Sequence, residues 1–383
     1  RGRDGRTHGA PIPMDTTEQT AASATPAPPS PPTPDDVSAP TIPQGHDMPR
    51  EVSILVFLRD RGIFVLWGVL IAIFAFWAAP YFFTVDNALL VANAAALTAI
   101  FAAGVGIGIM TGVLDLSLPG TAAMASCVCG WLLTHGANTV VGLLAGLVVG
   151  LVVGLVNGVI SLRGFNPIIV TIGTLSILTG LASVVAGGYT FPGLNQLEFM
   201  GTHRYLAVGS FTGIPAPVII VAGIYVVGTV FLTRTRDGLR MMAVGGNAEA
   251  VRRTGIHSDR YKVLGFVLSG LLAATGGLVS TAVTTEANPA ASPAIIFTAL
   301  TAVALAGVSL LGGRGSLPRV LVGSLILATI SNGLILKGVQ PYWGTVTTGV
   351  LLLASLVLEK TIQTSVSNRL VASANLSVHQ KKV

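Results

Sequence analysis

Charge is what this chain has least of. Asp, Glu, Lys and Arg make up 10% of its 383 residues, where a water-soluble domain carries about 25%. Most of its surface is therefore not built for water. Cysteine is nearly absent too: Cys127 and Cys129 stand two apart inside an apolar run. They lack paired metal-ligand spacing and read as small buried hydrophobes. No G-x-x-x-x-G-K-[ST] occurs, so the chain has no P-loop with which to bind ATP itself. G-x-S-x-G, H-E-x-x-H and clustered His or Cys are missing as well. The histidines (His8, His46, His135, His203, His257, His379) all fall outside the apolar runs. Nor does a series of acidic residues pass through those runs, as an ion-coupled carrier often requires.

Apolar residues fill the space left by these absences. They make up 51% of the chain, and mean hydropathy is +0.75. Uncharged runs long enough to cross about 30 Å of hydrocarbon recur along it. The expected fold class is an all-α integral membrane protein of about ten transmembrane helices. The spans are expected at 63–79, 88–109, 117–134, 139–161, 167–187, 214–233, 262–282, 294–311, 317–336 and 342–358. Net charge is +6, but the basic residues lie between apolar runs rather than in a patch interleaved with aromatics, which argues against nucleic acid. With the N-terminus inside, thirteen Lys and Arg fall in inner segments and two, Arg204 and Lys337, in outer loops. The positive-inside rule then places both termini in the cytoplasm.

Three regions follow. Residues 1–49 form a Pro/Ala-rich tail (PAPPSPPTPDD) with no periodicity, expected to be disordered and partly polyproline II. Met14 reads as a start, with thirteen residues of upstream extension. No cleavable signal peptide is evident, since the first apolar run begins after residue 50 and is too long for one. Residues 50–360 form the membrane domain, and 361–383 a cytoplasmic C-terminal tail. The longest outer loop, 188–213, either caps the outer mouth and contacts a partner or ties two helices together at the interface.

The fourth span carries Gly142, Gly146, Gly150, Gly154 and Gly158. Glycine at every fourth position opens a groove where another backbone approaches closely, so this is expected to be a packing face. Asp115 is the acid most embedded in apolar sequence. In D-L-S-L-P, Asp115 or Ser117 can cap the third span with Pro119 in its first turn; a role for the carboxylate in gating or a solute path is the alternative. Helical continuity breaks twice on the expected inner side, at TGVLDLSLPG (111–120) and at LGGRGSLPRVLVG (311–323), which hints at two similarly oriented halves.

The cytoplasmic segment 234–262 is the most informative. Gly245 and Gly246 are expected to break the chain, and Asn247 to cap a helix of about two turns. Glu249 would complement the dipole in its first turn, and Arg252 and Arg253 in its last. Gly255 would close it. So short a helix is marginal alone, so it packs either on a partner or on the chain's own inner surface.

These motifs resemble those of the inner-membrane permeases of bacterial ribose/xylose-type ABC sugar importers, over about residues 60–360. Thr111-Gly112…Asp115-Leu116-Ser117 is similar to the family's "tgGIDLSvG". Gly154-Leu155-Val156-Asn157-Gly158 with Ile168-Ile169-Val170-Thr171-Ile172-Gly173-Thr174 is similar to "GlvNG…FIvTLGt". Ala243-Val244-Gly245-Gly246-Asn247 through Gly255-Ile256 resembles "AvGgNeeAArlsGI", and Leu311-Gly312-Gly313-Arg314-Gly315 resembles "lGGrGs". Val113 and Pro119 depart from family glycines, and Val251 from an alanine.

The resemblance implies that Gly245, Gly246, Asn247, Ala248, Glu249, Ala250, Arg252, Arg253 and Gly255 form a coupling helix that docks on a cytoplasmic ABC ATPase subunit. It places Asp115, Ser117, Asn157, Asn166 and Thr171 at the solute path or its gate. It further implies a second permease copy as a homodimer partner, an extracytoplasmic sugar-binding protein, and a multi-pass location in the inner membrane. The chain itself would hold no cofactor, metal or catalytic residue, with ATP and Mg bound by the ATPase partner. Competing functions are a permease for branched-chain amino acids or nucleosides, an ion-coupled secondary carrier, and a membrane-embedded enzyme.

Overall fold

A computed structural model describes residues 50–207 and 212–380; the expected tail over 1–49 lies outside them. Its helices are α1 (Arg50–Trp77), α2 (Val85–Met110), α3 (Leu118–Thr134), α4 (Thr139–Leu162), α5 (Pro167–Val185), α6 (Ala216–Arg234), α7 (Arg236–Arg253), α8 (Ser258–Thr284), α9 (Ala294–Leu305), α10 (Leu317–Leu336) and α11 (Tyr342–Gln380). Among the described residues, seven helices are long and apolar enough to cross a membrane. Three shorter apolar helices accompany them: Arg61–Trp77 within α1, α3 and α9. Two ends run past expectation. α1 begins thirteen residues before the expected first span, and α11 continues to Gln380, past the span expected to end at 358.

Helix starts follow local chemistry. The side chains of Thr84, Asn138 and Asn166 each accept a hydrogen bond from a first-turn backbone N–H, that of Asn87, Val140 and Ile168 respectively. Each satisfies a donor that the helix cannot pair internally. Pro167, Pro217 and Pro318 stand in first turns, where a missing N–H costs nothing.

The interior is organised around α8, on which α2, α3 and α4 all pack. The glycine stripe of α4 is the reason α4 and α8 can approach so closely. A methyl group on Gly150 would overlap the Gly270 carbonyl of α8 and lie 2.7 Å from Ala274 Cβ. One on Gly154 would lie 2.5 Å from the Phe266 carbonyl oxygen, and one on Gly158 3.1 Å from Val263 Cα. Towards the other end, Gly146 meets Leu278 and Ala125, and Gly142 meets Cys129 and Leu133. Large side chains of α4, among them Leu144, Val148, Leu151 and Leu155, point outwards and are exposed. Small residues inside and large apolar residues outside are the arrangement of helices packed in lipid.

Among the described residues, polar bonds between helices are few. Trp67 Nε1 donates to Thr329 Oγ1 at 3.2 Å, and Tyr225 OH to the Ala99 carbonyl at 3.0 Å. Both cysteines are fully buried in α3. The long loop after α5 folds onto the ends of α3 and α8. Leu194 and Leu197, the latter in a 3-10 turn at Asn195–Met200, are buried with Leu133, Leu278 and Ala287, and Phe191 bridges to Ala287. Two-residue strands at Arg204–Tyr205 and Ile214–Pro215 close it as the only departure from helix among the described elements. The loop thus ties helix ends together.

Candidate functional site

α7 leads out of α6 and back into α8. Thr235 caps its start, accepting the Gly238 N–H at 3.1 Å. Met241 and Val244 bury one face. The expected break at Gly245-Gly246 is not where the chain turns: helix continues through both, and the non-helical residue is Asn247 (φ −160, ψ 93). Asn247 Oδ1 accepts the Ala250 N–H at 2.9 Å and caps a second piece, as its side-chain chemistry implies. Gly255, at φ +83, ends the piece, its N–H bonded to the Arg252 carbonyl.

This second piece stands proud of the molecule. Asn247, Glu249, Ala250, Arg252 and Arg253 are exposed, with Ala248 and Val251 half-buried. Glu249 lies 3.8 Å from Arg252 Nε and 3.6 Å from Arg253 Nε. Pairs this exposed are worth under about 1 kcal/mol, so they shape the surface rather than hold the fold. The chain's own surface thus covers Ala248 and Val251 in part and leaves the charged side chains of the piece uncovered.

The glycines before it serve close approach instead. A side chain on Gly245 would fall on the Met110 carbonyl oxygen at the end of α2 and lie 2.8 Å from Gly313 N. That oxygen accepts the Gly313 N–H at 3.0 Å. Gly112 (φ +81) and Gly313 (φ +72) have left-handed backbone, and a Cβ on Gly112 would lie 3.2 Å from Gly245 Cα. The two helix breaks noted in the sequence, after α2 and before α10, therefore meet on one point of α7. They are more than 190 residues apart in the chain.

Behind this junction lies a polar chain. Asp115, in the connection between α2 and α3 and outside both, is 2% exposed. Its Oδ1 accepts the Ser117 N–H at 2.9 Å and the Ser117 hydroxyl at 2.6 Å. Ser117 Oγ accepts from Asn157 Nδ2 of α4 at 2.9 Å, and Asn157 Oδ1 accepts from the Thr174 hydroxyl of α5 at 2.6 Å. Burial pushes the Asp115 carboxyl above the usual carboxylate range, and the two Ser117 bonds oppose that. Asp115 Oδ2 and the Ser269 hydroxyl of α8 are buried near each other without a hydrogen bond of good geometry, and the hydroxyl too opposes the upward shift. The carboxylate thus anchors a link across α3, α4 and α5.

Of the path or gate residues inferred from sequence, Asp115, Ser117 and Asn157 come together. Ser117 occupies the cap position of α3, but its hydroxyl serves Asp115 and not the helix. Thr171 is buried and donates to its own helix at Ile168 O, and Asn166 caps α5. Neither joins the chain of bonds. Thr174 does, and it was legible: it stands one turn from Thr171 on α5. Ser269 and Gly270 carried no signal in an ordinary Gly/Ala/Leu helix.

A family described as "Branched-chain amino acid transport system / permease component" matches residues 87–356. The chain is 34% identical over 285 residues to the ribose import permease protein RbsC of Bacillus subtilis (strain 168), covering 73% of this chain and 87% of that one. It is 31% identical over 304 residues to the ribose import permease protein RbsC of Escherichia coli (strain K12), covering 79% and 94%. It is 31% identical over 300 residues to the L-arabinose transport system permease protein AraH of the same strain, covering 78% and 90%. No solved structure matches it.

Proposed function

This chain belongs to the branched-chain amino acid transport system / permease component family, and we propose that it is the membrane-spanning permease of an ATP-binding-cassette importer that moves a monosaccharide. Although the family description names amino acids, the similar proteins above carry ribose and arabinose in their names, which favours a sugar. The chain is a multi-pass inner-membrane protein. In this reading the three shorter apolar helices join the seven longer ones as spans, ten in all, and the distribution of Lys and Arg supports cytoplasmic termini.

The observation that carries the mechanism is the capped, exposed piece Asn247–Gly255 beside a backbone junction that reaches both helix breaks. Its polar face suits a groove on a cytoplasmic ABC ATPase subunit, which supplies the ATP and Mg site this sequence lacks. Movement of that piece would be passed through Gly245 to the ends of α2 and α10. Asp115, Ser117 and Asn157 then brace α3, α4 and α5 against the same end and take part in gating through position. The importer is completed by a second copy of the permease and an extracytoplasmic sugar-binding protein, with solute moving by alternating access as the ATPases close.

The test is mass spectrometry of what co-purifies with the tagged protein from its native membrane in mild detergent. Wild type runs beside a variant whose residues 246–255 are a Gly/Ser linker. A P-loop ATPase present with wild type and lost with the variant supports the reading. Absence of any ATPase, under conditions that keep other transporters' complexes whole, overturns it.

A further inference from the structure

Hydroxyl groups within membrane helices are ordinarily spent on the helix itself. Ser126, Thr179, Thr275 and Thr301 each donate to the carbonyl four residues earlier, at 2.7–2.8 Å. Ser161, Thr229 and Ser269 break that pattern singly, and Thr98, Ser331 and Thr345 break it together: none of the six makes a side-chain hydrogen bond within the described residues. The last three line one cavity of about 450 Å³ between α2, α9, α10 and α11, with Thr298, Thr348 and the half-exposed ring of Phe297. Thr298 and Thr348 use their protons on Ala294 and Gly344 but keep lone pairs for a further donor.

Depth and direction are informative. Thr298 lies four residues into α9, Thr345 three into α11, and Ser331 five before the end of α10. At 1.5 Å per residue these are about 5–8 Å from the helix ends; Thr98 lies deeper, midway along α2. Those ends are opposite the glycine junction at Met110, so the cavity opens away from α7. No charged residue lines it.

We propose that this cavity is a monosaccharide subsite on the permease itself, entered from the side that faces the binding protein. The proposal rests on the reading given above. Ser and Thr hydroxyls both donate and accept, as sugar hydroxyls do. An aromatic face beside a few placed polar groups is the usual lining of a small-molecule site, and the volume falls within the roughly 300–1,000 Å³ of such sites. A zwitterionic amino acid would enter with two charges and find no counter-charge, at a large desolvation cost. The lining therefore also accounts for selection of a neutral polyol within a family named for amino acids. Hydroxyls left open to hydrocarbon are costly by the same rule, and a polar occupant would remove that cost.

The assembled importer tests this with D-ribose, D-allose, L-arabinose and D-xylose as probes. Ser331→Cys and Thr345→Cys are treated with a water-soluble, membrane-impermeant methanethiosulfonate, the native thiols being fully buried. Both positions are expected to react, and the sugar that the importer accumulates is expected to slow the reaction at least threefold. Thr345→Val should lower uptake of that sugar about tenfold with the ATPase still bound, and Thr345→Ser should restore it. Cysteines that react only with a lipid-soluble maleimide, or that the transported sugar does not protect, overturn the subsite while transport stands. An importer that accumulates none of the four sugars overturns the sugar reading and the subsite together.

Discussion

Gly245 of α7 and Met110 at the end of α2 meet backbone to backbone, and the Met110 carbonyl that a side chain at 245 would strike is the one that holds the Gly313 N–H at 3.0 Å. One carbonyl thus joins α7, the connection after α2 and the connection before α10. Its neighbour is far less crowded: a methyl on Gly246 would reach only Gly313 Cα, at 3.8 Å.

Gly245→Ala should therefore force the junction apart, at a cost of about 1–3 kcal/mol for overpacking. Sugar uptake is expected to fall tenfold or more, with the melting temperature of the purified protein lowered by several degrees. Gly246→Ala should leave both close to wild type. Equal uptake by the two variants would show that the junction is not tight.

Glu249→Arg replaces the acid of the exposed piece with a third cation beside Arg252 and Arg253. The lost ion pairs are worth under about 1 kcal/mol, so the melting temperature should barely move. Retention of the ATPase on affinity purification, and uptake with it, should drop severalfold. Wild-type uptake would remove Glu249 from the docking face.

Gly150→Leu places a four-carbon side chain where the Gly270 carbonyl and Ala274 already sit. The cost should exceed the roughly 3 kcal/mol upper end of ordinary overpacking, because backbone rather than a flexible side chain must yield. Thermal unfolding in detergent, followed by size-exclusion chromatography, should show a large loss of folded protein. Unchanged stability would mean that this face meets lipid.

Asn157→Leu removes the bridge between Ser117 and Thr174. The cost should be about 1–3 kcal/mol, since the buried Ser117 hydroxyl loses the donor it accepts from and the Thr174 hydroxyl falls back on the Val170 carbonyl of its own helix. A melting-temperature shift of several degrees is expected. Thr171→Val, which breaks only a bond within its own helix, should shift it less.

Much of the exposed piece Asn247–Gly255 was legible because capping is local. Asn247 reaches an N–H three residues on, and Gly255 needs only its own φ. The break was misplaced by one residue, since glycine pairs serve turns and close contacts alike. Only the Met110 carbonyl over Gly245 shows which applies here. The stripe on α4 was visible as a period of four, but its partner Gly270 sits in a helix with no such period. Asp115 stood out as an acid in apolar sequence, yet the bonds that run on from its partner Ser117 reach Asn157 of α4 and Thr174 of α5.

The sequence by itself determined the membrane class, the apolar helices, their caps and the small-residue face of α4. Each of these depends on residues within a turn or two of one another, or on composition summed over a span. Tertiary structure alone decided that Gly112, Gly245 and Gly313 share one point, that Asp115 is tied through Ser117 and Asn157 to Thr174, and that Thr98, Ser331 and Thr345 face one cavity. Those meetings depend on where helices cross and how close their backbones come. Crossing geometry is set by side chains far apart in the chain acting together, so no local stretch records it.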